Sequence, residues 1–399
     1  MTMSEKRRDS KNRILRSGES QRKDGRYAYK YTDPFGKSQF VYAWKLVPTD
    51  KTPTGKRDDI SLREKEKAIH KDLDDGIDTV GKKMTVCQLY AKQNRHRGNI
   101  KYNTKIGRER LMKLLEQDRL GSSSIDSVKM SDAKEWALRM AEKGIAYNTI
   151  SNDKRSLKAA FYTAIQDDCI RKNPFDFKLN TVIEDTTQPK VPLSAIQEKE
   201  LLDFVQSDEV YRKYYDDLII LLDTGLRISE FCGLTDTDVD FENRIVNVDH
   251  QLLYGGEIGY YIEPPKTESG IRQLPMTERV YESFRNVLKR RKGTKPIIVD
   301  GYSGFLFIGE QGNLKTASNY DSMFRGLVKK YSKSRKVALP EVTTPHTLRH
   351  TFCTNKANAG MNPKALQYLM GHSNIIMTLN YYAHANFESA KAEMDRLAA

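Results

Sequence analysis

The sequence predicts a multi-domain, mostly α-helical chain with small β-sheets. A small sheet-plus-helix unit comes first, then an all-helical unit, then an α+β unit. Three observations carry that expectation. At roughly 150 residues per domain, 399 residues exceed what one hydrophobic core usually organises. Positive charge is unevenly spread: residues 1–57 hold 15 Lys and Arg against 6 Asp and Glu, so +9 of the chain's +14 lies in its first seventh. The apolar pattern also changes twice, from alternation near the N-terminus, to three-and-four spacing over residues 84–175, to a mixture beyond residue 193.

Composition removes several classes. A 38% hydrophobic share with 21 Tyr and 14 Phe argues against disorder. The longest wholly aliphatic run is Leu218 to Leu222, far below the ~20 residues of a membrane span. The opening MTMSEKRRDS lacks the apolar stretch of a secretory signal. Cys87, Cys169, Cys232 and Cys353 are widely separated, which argues against a zinc site or a disulfide framework. A soluble, cytoplasmic chain with a polyanionic partner and no membrane association is expected.

In the first unit, Arg26-Tyr-Ala-Tyr-Lys-Tyr31 alternates, Asp33-Pro-Phe-Gly36 supplies turn residues, and Gln39 to Trp44 reads as a second strand. A helix is expected from Ser61 to about Asp75, stopped by Gly76. Basic and aromatic side chains interleave on this sheet, with Arg26 and Lys30 as candidate DNA contacts; the bland alternative is a solubilising basic extension. Helices are then expected over Thr85–His96, Asn103–Glu116, Ser131–Glu142 and Asn148–Asp168, with Ser131 and Asn148 as N-caps. Their polar faces carry Lys101, Lys105, Arg108, Arg110, Lys154, Arg155 and Lys158. Such a face suits a DNA backbone, although charged helical faces are commonly just solvated. Asp176 to Val191, containing Thr186-Thr-Gln-Pro189, reads as a linker.

The third unit opens on a capping box, Ser194-Ala-Ile-Gln197, ahead of Leu201, Leu202, Phe204 and Val205. A second helix is expected over Tyr211–Leu222, then a glycine turn into a short helix at Thr224-Gly-Leu-Arg-Ile-Ser-Glu230. Strands are expected at Arg244–Val248, Gly259–Glu263 and Ile271–Leu274, with Lys266 at a hairpin turn before the last. From about Tyr320 the chain reads as helical, broken at Pro340, Pro345, Gly360 and Gly371.

Four islands carry chemistry: Arg227 and Glu230 in the glycine turn; Lys266; His346, Arg349 and His350 in Pro345-His-Thr-Leu-Arg-His-Thr351; and Gly371-His372, with Tyr381 nine residues after the histidine. His346 and Arg349 share a helical face. Arginine forks bind non-bridging phosphate oxygens, and a tyrosine can attack phosphorus and hold the strand covalently. A lysine can protonate the leaving sugar oxygen. No carboxylate pair for Mg²⁺ is evident, so neither metal nor cofactor is expected.

In order and spacing these islands resemble the signature of the tyrosine recombinase (phage integrase) family, and most closely the integrases of conjugative transposons. The resemblance implies an arm-type DNA-binding domain over 1–80, a helical core-binding domain over 81–175, a linker over 176–192 and an α+β catalytic domain over 193–399. It also implies that Arg227 and Arg349 clamp the scissile phosphate, Lys266 protonates the 5′ oxygen, and His346 assists proton transfer. His372 would hydrogen-bond the phosphate, Glu230 would support the site, and Tyr381 would form a 3′-phosphotyrosyl bond, in preference to Tyr382. His350 is expected to pack behind the site, and a metal between His346 and His350 is disfavoured by Arg349. The implied activity is ATP- and metal-independent excision and integration of a mobile element. Core and arm sites on double-stranded DNA, an excisionase and DNA-bending proteins are the implied partners, and the implied location is the bacterial cytoplasm, at the nucleoid. A tail stripe of Phe387, Ala390, Met394 and Leu397 would pack on a neighbouring protomer in a tetramer, and His384 would lie at the surface or interface. A type IB topoisomerase and a catalytically silent DNA-binding regulator are the alternative functions.

Overall fold

The computed structural model describes residues 6–33, 36–98, 100–188, 191–291, 296–382 and 394–395. The chain divides into two compact units, Met1–Thr187 and Gln188–Ala399.

In the first unit, β1 (Glu19–Gln21), β2 (Tyr27–Thr32) and β3 (Ser38–Ala43) form an antiparallel sheet in the order β1-β2-β3. Alternation sorts its faces: Tyr27, Tyr29 and Ala43 pack with Leu46, Leu62 and Ile69, while Lys30 and its cross-strand partner Phe40 are exposed. The buried side is covered by α1 (Leu62–Asp74), whose N-cap Ser61 donates its backbone N–H to Glu64 Oε2 at 2.9 Å. Three residues are too few to show alternation, which is why β1 was not expected. Pro34 and Phe35 of the expected turn lie outside the described residues.

The helical part of this unit comprises α2 (Val86–His96), α3 (Tyr102–Glu116), α4 (Arg119–Ser122), α5 (Met130–Glu142) and α6 (Tyr147–Gln166). They enclose Trp136, Leu157 and Phe161. The expected N-caps are displaced. Lys129 and Ala146 occupy those positions, and Ser131 and Asn148 sit inside the first turns. The reason at α5 is Asp132, whose carboxylate accepts the Lys129 N–H at 2.8 Å and draws the helix start upstream. The stretch after α6 does not leave the bundle at once. Phe175 and Leu179 are buried, Phe175 lies 5.8 Å from Trp136 and 5.4 Å from Phe161 between ring centroids, and Phe177, Val182 and Ile183 pack alongside.

The second unit begins with α7 (Ala195–Ser207), capped by Ser194 and Gln197. A single 3-10 turn follows, so α8 starts at Tyr215 rather than Tyr211 and runs to Thr224. Its residues 218–222 are all buried, as a helix apolar all round must be. Next come α9 (Ile228–Gly233), β4 (Val239–Asp240), β5 (Ile245–Val248), β6 (Gln251–Gly255), β7 (Gly259–Glu263) and β8 (Arg272–Pro275). One sheet has the order β4-β5-β8, while β6 and β7 form a separate hairpin. Lys266 therefore lies in the crossing between two sheets, not at a hairpin turn. Pro264 and Pro265 offer no N–H to extend the β7 ladder, and Glu268–Gly270 form a 3-10 turn.

Helix α10 (Glu278–Arg291) falls where no element was expected, although Val280, Phe284 and Val287 face inward at helical spacing. It packs on α8, as does α12 (Pro345–Asn358). The remaining helices are α11 (Ala317–Ser334), α13 (Pro363–Met370) and α14 (Ile375–Leu379). Phe352, Cys353, Leu366 and Met370 form a satellite core on which Tyr381 and Tyr382 rest. Of the expected tail only Met394 and Asp395 are described; His384, Phe387, Ala390 and Leu397 lie outside the described residues.

Candidate active site

The site is built around two helix ends. Gly225 ends α8 in the left-handed region at φ 65°, and a Cβ there would come within 2.4 Å of the Phe352 ring. That turn makes Arg227 the N-cap of α9. Its backbone N–H donates to Glu230 Oε2 (3.0 Å) and its Nη1 to Glu230 Oε1 (2.6 Å). Gly371 ends α13 in the same way at φ 60°, leaving the last carbonyls of that helix without intrahelical donors.

Three guanidinium groups take up those carbonyls. Arg272 Nε donates to Leu369 O (2.7 Å), Arg349 Nη2 to Met370 O, and Arg227 Nη2 to Gly371 O (2.9 Å). Arg349 Nη1 also donates to Gly225 O at 2.6 Å, which ties the two helix ends together. The negative end of the α13 dipole suits this arrangement. Glu230, buried, accepts from Arg272 Nη2 at 2.9 Å as well as from Arg227.

The charges do not balance. Arg227, Arg272 and Arg349 meet one carboxylate, leaving the cluster two positive charges in excess. Burial by itself would raise the Glu230 carboxyl, but Arg272, Arg227 and Arg349 together hold it below its usual range. Burial, followed by the neighbouring Arg227, pushes Arg349 down to about 9. A preorganised cluster with a positive excess of this kind fits an oxyanion such as a phosphodiester.

The remaining groups border the cluster. His372 is buried, with Nδ1 2.9 Å from Thr378 Oγ1; burial and then Arg349 push it down to about 4, so it is neutral at physiological pH. Tyr381 follows α14, half-buried, and its Oη lies 2.6 Å from His350 Nδ1. Burial, with Cys353 adding to it, pushes that phenol up to about 12. Tyr382 is engaged elsewhere, donating to Met361 O at 2.5 Å. His346 is exposed, its ring 4.7 Å from that of His350. Lys266 is exposed and makes no hydrogen bond or ion pair among the described residues.

Arg227, Glu230, Arg349 and His372 are thus drawn into one network, Tyr381 and His346 adjoin it through His350, and Lys266 stands apart from it. Arg272 and Thr378 had no expected role. Arg272 had a legible signal, because it shares strand parity with the buried Leu274 while Ile271 points outward at 56% exposure. Among the described residues, metal-type ligands group at Asp238, Asp249 and His250, but both ring nitrogens there are in use, with Asp249 (2.5 Å) and Gly233 O (2.8 Å).

The other candidate contacts fall into two kinds. Arg26 stacks between Tyr42 and Trp44, at 5.5 and 5.7 Å; Arg22 covers Tyr42 and Lys56 covers Trp44. In the helical bundle, Lys101 and Arg155 are exposed, Arg108 is half-buried, and Lys105 pairs with Glu109 at 3.9 Å. Three cations there are committed internally: Arg110 to Asp153 (2.5 Å), Lys158 to Asp176 (2.7 Å), and Lys154 over the Phe177 ring (4.5 Å).

Comparison with known proteins agrees along the chain. Residues 3–73 match the DNA binding domain of Tn916 integrase, and residues 192–389 match the phage integrase family. The chain is 65% identical over 395 residues to a transposase from transposon Tn1545 of Streptococcus agalactiae, spanning 99% of this chain and 97% of that one. It is 64% identical, with the same coverage, to a transposase from transposon Tn916 of Enterococcus faecalis. Among solved structures, the Tn1549 transposon integrase in complex with a circular intermediate DNA is 68% identical, with a TM-score of 0.76 over 78% of this chain and 99% of that one. A lambda integrase dimer on a core site shares the fold at 14% identity, with a TM-score of 0.53 over 93% of this chain and 95% of that one.

Proposed function

The chain belongs to the phage integrase family of tyrosine recombinases, and from that premise we propose how its residues divide the work of a site-specific recombinase that moves a mobile element. Arg227 and Arg349 clamp the scissile phosphate, and His372 donates a hydrogen bond to it as a neutral imidazole. Tyr381 attacks phosphorus to give a 3′-phosphotyrosyl bond. The 5′ oxygen leaves with a proton from Lys266, whose exposed ammonium makes no hydrogen bond or ion pair among the described residues. The bond energy stays in the phosphotyrosine, so religation by a partner strand needs no ATP.

The observation that carries this reading is the excess of guanidinium over carboxylate, held rigid by the carbonyls at the end of α13, with the Tyr381 hydroxyl alongside. Such a cluster is costly until an anion enters it, which is how preorganised charge favours a transition state. The basic sheet face of residues 1–80 serves arm sites, the helical bundle of 81–175 serves core sites, and residues 193–399 perform catalysis. Separate hydrophobic clusters for the sheet unit, the bundle and the C-terminal unit support that division. Tetramer assembly on paired sites, an excisionase and DNA-bending proteins complete the scheme.

The test is covalent trapping. DNA captured on the protein and sequenced yields the core site, and a nicked suicide duplex of that sequence should accumulate a covalent complex. Tyr381→Phe should bind the duplex and form none. An adduct in that variant overturns the assignment. Plasmid relaxation without strand exchange between paired sites would point to a topoisomerase instead.

A further inference from the structure

We propose that His350, rather than His346, is the group that takes the phenolic proton of Tyr381 when the tyrosine attacks. The inference rests on the reading of Tyr381 as nucleophile and goes beyond it, since packing behind the site was all that was expected of His350.

His350 Nδ1 lies 2.6 Å from Tyr381 Oη, within the hydrogen-bond reach that proton transfer needs, with the rings 5.5 Å apart and tilted by 40°. Both partners are fixed. His350 sits mid-helix on α12, directly after Arg349, whose guanidinium is locked to Gly225 O and Met370 O. Tyr381 is held by its backbone N–H to Thr378 O at 3.0 Å and by packing on the satellite core. A base at this position is also needed. The buried phenol, pushed up to about 12, does not ionise unaided at neutral pH.

The other histidines are placed differently. His346 meets His350 edge to face at 4.7 Å and is exposed, so it adjoins the acceptor. His372 has its Nδ1 at Thr378. Among the described residues, the charged and titratable groups around His350 include His346 on its own helix, Tyr381, and His372, with which its charge interacts.

The proton balance closes. The Tyr381 O–H bond breaks as an N–H bond forms at His350 Nδ1, with the ring's other proton on Nε2. The phenolate oxygen bonds phosphorus and the bond to the 5′ oxygen breaks, that oxygen taking its proton from Lys266. On religation the entering 5′-hydroxyl returns a proton to Lys266, and His350 returns its own to the departing tyrosine.

The experiment uses the full chain and the nicked suicide duplex. His350→Ala should slow covalent-complex formation by about 100-fold, the usual weight of one general base, with duplex binding unchanged. His350→Gln, which keeps a hydrogen-bond partner but no base, should be as slow and guards against a folding defect in the alanine variant. Replacing Tyr381 by difluorotyrosine, a more acidic phenol, should restore most of the rate in both. A duplex with a bridging 5′ sulfur, which leaves without protonation, should rescue Lys266→Ala and not His350→Ala. Parental or faster cleavage by either His350 variant, failure of difluorotyrosine to rescue, or rescue by the sulfur duplex would overturn the proposal. Tyr381→Phe is run in parallel: an adduct there sinks the nucleophile assignment itself.

Discussion

Two regions of this molecule collect positive charge, and they hold it in opposite ways. In the second unit, Arg227, Arg272 and Arg349 are clamped by backbone carbonyls and one carboxylate, with Arg272 and Arg349 buried. On the N-terminal sheet, the charged ends of Arg22, Arg26 and Lys56 rest on the faces of Tyr42 and Trp44, and Arg26 pairs besides with the exposed Asp24 at 2.7 Å. The first arrangement stores desolvation cost in exchange for fixed geometry. The second costs little and remains hydrated. Bond-making chemistry requires the first, since its transition state tolerates little reorganisation. Tracking a DNA backbone requires only the second, where binding draws on released counterions.

The contrast breaks most visibly at Arg272. Its side chain is wholly buried and satisfies Leu369 O, Gly270 O and Glu230 together. Arg272→Ala leaves Glu230 short of a counter-charge in the interior and should destabilise the second unit by about 3–5 kcal/mol, measured by urea unfolding. A loss below about 1 kcal/mol would mean that the clamp is not under the stress described. Arg272→Lys should recover little, because a point charge cannot span three acceptors.

Acid is the next lever. His372 has its pKa lowered from 6.5 to about 4, by burial first and then by Arg349. The unfolded chain therefore binds a proton at a pH where the folded chain does not. Stability from this group is complete above pH 6.5 and is lost as pH falls towards 4, by about 3 kcal/mol at 1.36 kcal/mol per unit. His372→Gln should flatten the stability profile of the second unit between pH 7 and 4 relative to the parent. Profiles of equal slope would show that neither burial nor the arginines hold the imidazole down.

Much of the site was legible in the sequence, and the parts that were not share a cause. Arg227, Arg349, His372 and Tyr381 stand in short motifs whose spacing is set by one turn or one helix. Thr378, the role of His350 and the partners of Arg272, of which only the inward parity was legible, depend on which elements meet in space. Arg272 is paired with Glu230 across 42 residues and with Leu369 across 97. At that end of the strand the aliphatic Ile271 is exposed and Arg272 is buried, where it meets the buried carboxylate of Glu230. Local rules failed similarly at Lys129, where a carboxylate three residues on outweighed a serine's preference for the cap.

A glycine tests how finely the clamp is set. At Gly371 an added Cβ would lie 3.1 Å from both Arg272 Nη1 and Ser269 O, in a backbone conformation that side chains other than glycine's resist. Gly371→Ala should cost about 1–2 kcal/mol in urea unfolding, the cost of left-handed backbone for a residue with a Cβ. It should also slow cleavage of the suicide duplex more than it weakens duplex binding, because the carbonyls of Met370 and Gly371 shift with the turn. A variant that cleaves at the parental rate would show that the guanidinium groups find their geometry without this helix end.

The smallest expected effect on stability belongs to the other region. Arg26 and Lys30 contribute to no core, so Arg26→Ala and Lys30→Ala should leave the unfolding midpoint of the first unit where it was. Their signature is salt. Each cation that meets a phosphate adds nearly one unit to the slope of log affinity against log salt. Removing either should flatten that slope by about one for arm-site duplexes and leave cleavage of an isolated core-site duplex unchanged. Two further outcomes are informative because they would erase the contrast. A fall in stability would mean that the aromatic ladder is a structural clamp like the arginine cluster. A loss of core cleavage would mean that the sheet takes part at the crossover itself. If only the salt slope moves, the chain has put fixed charge where bonds are made and loose charge where DNA is held.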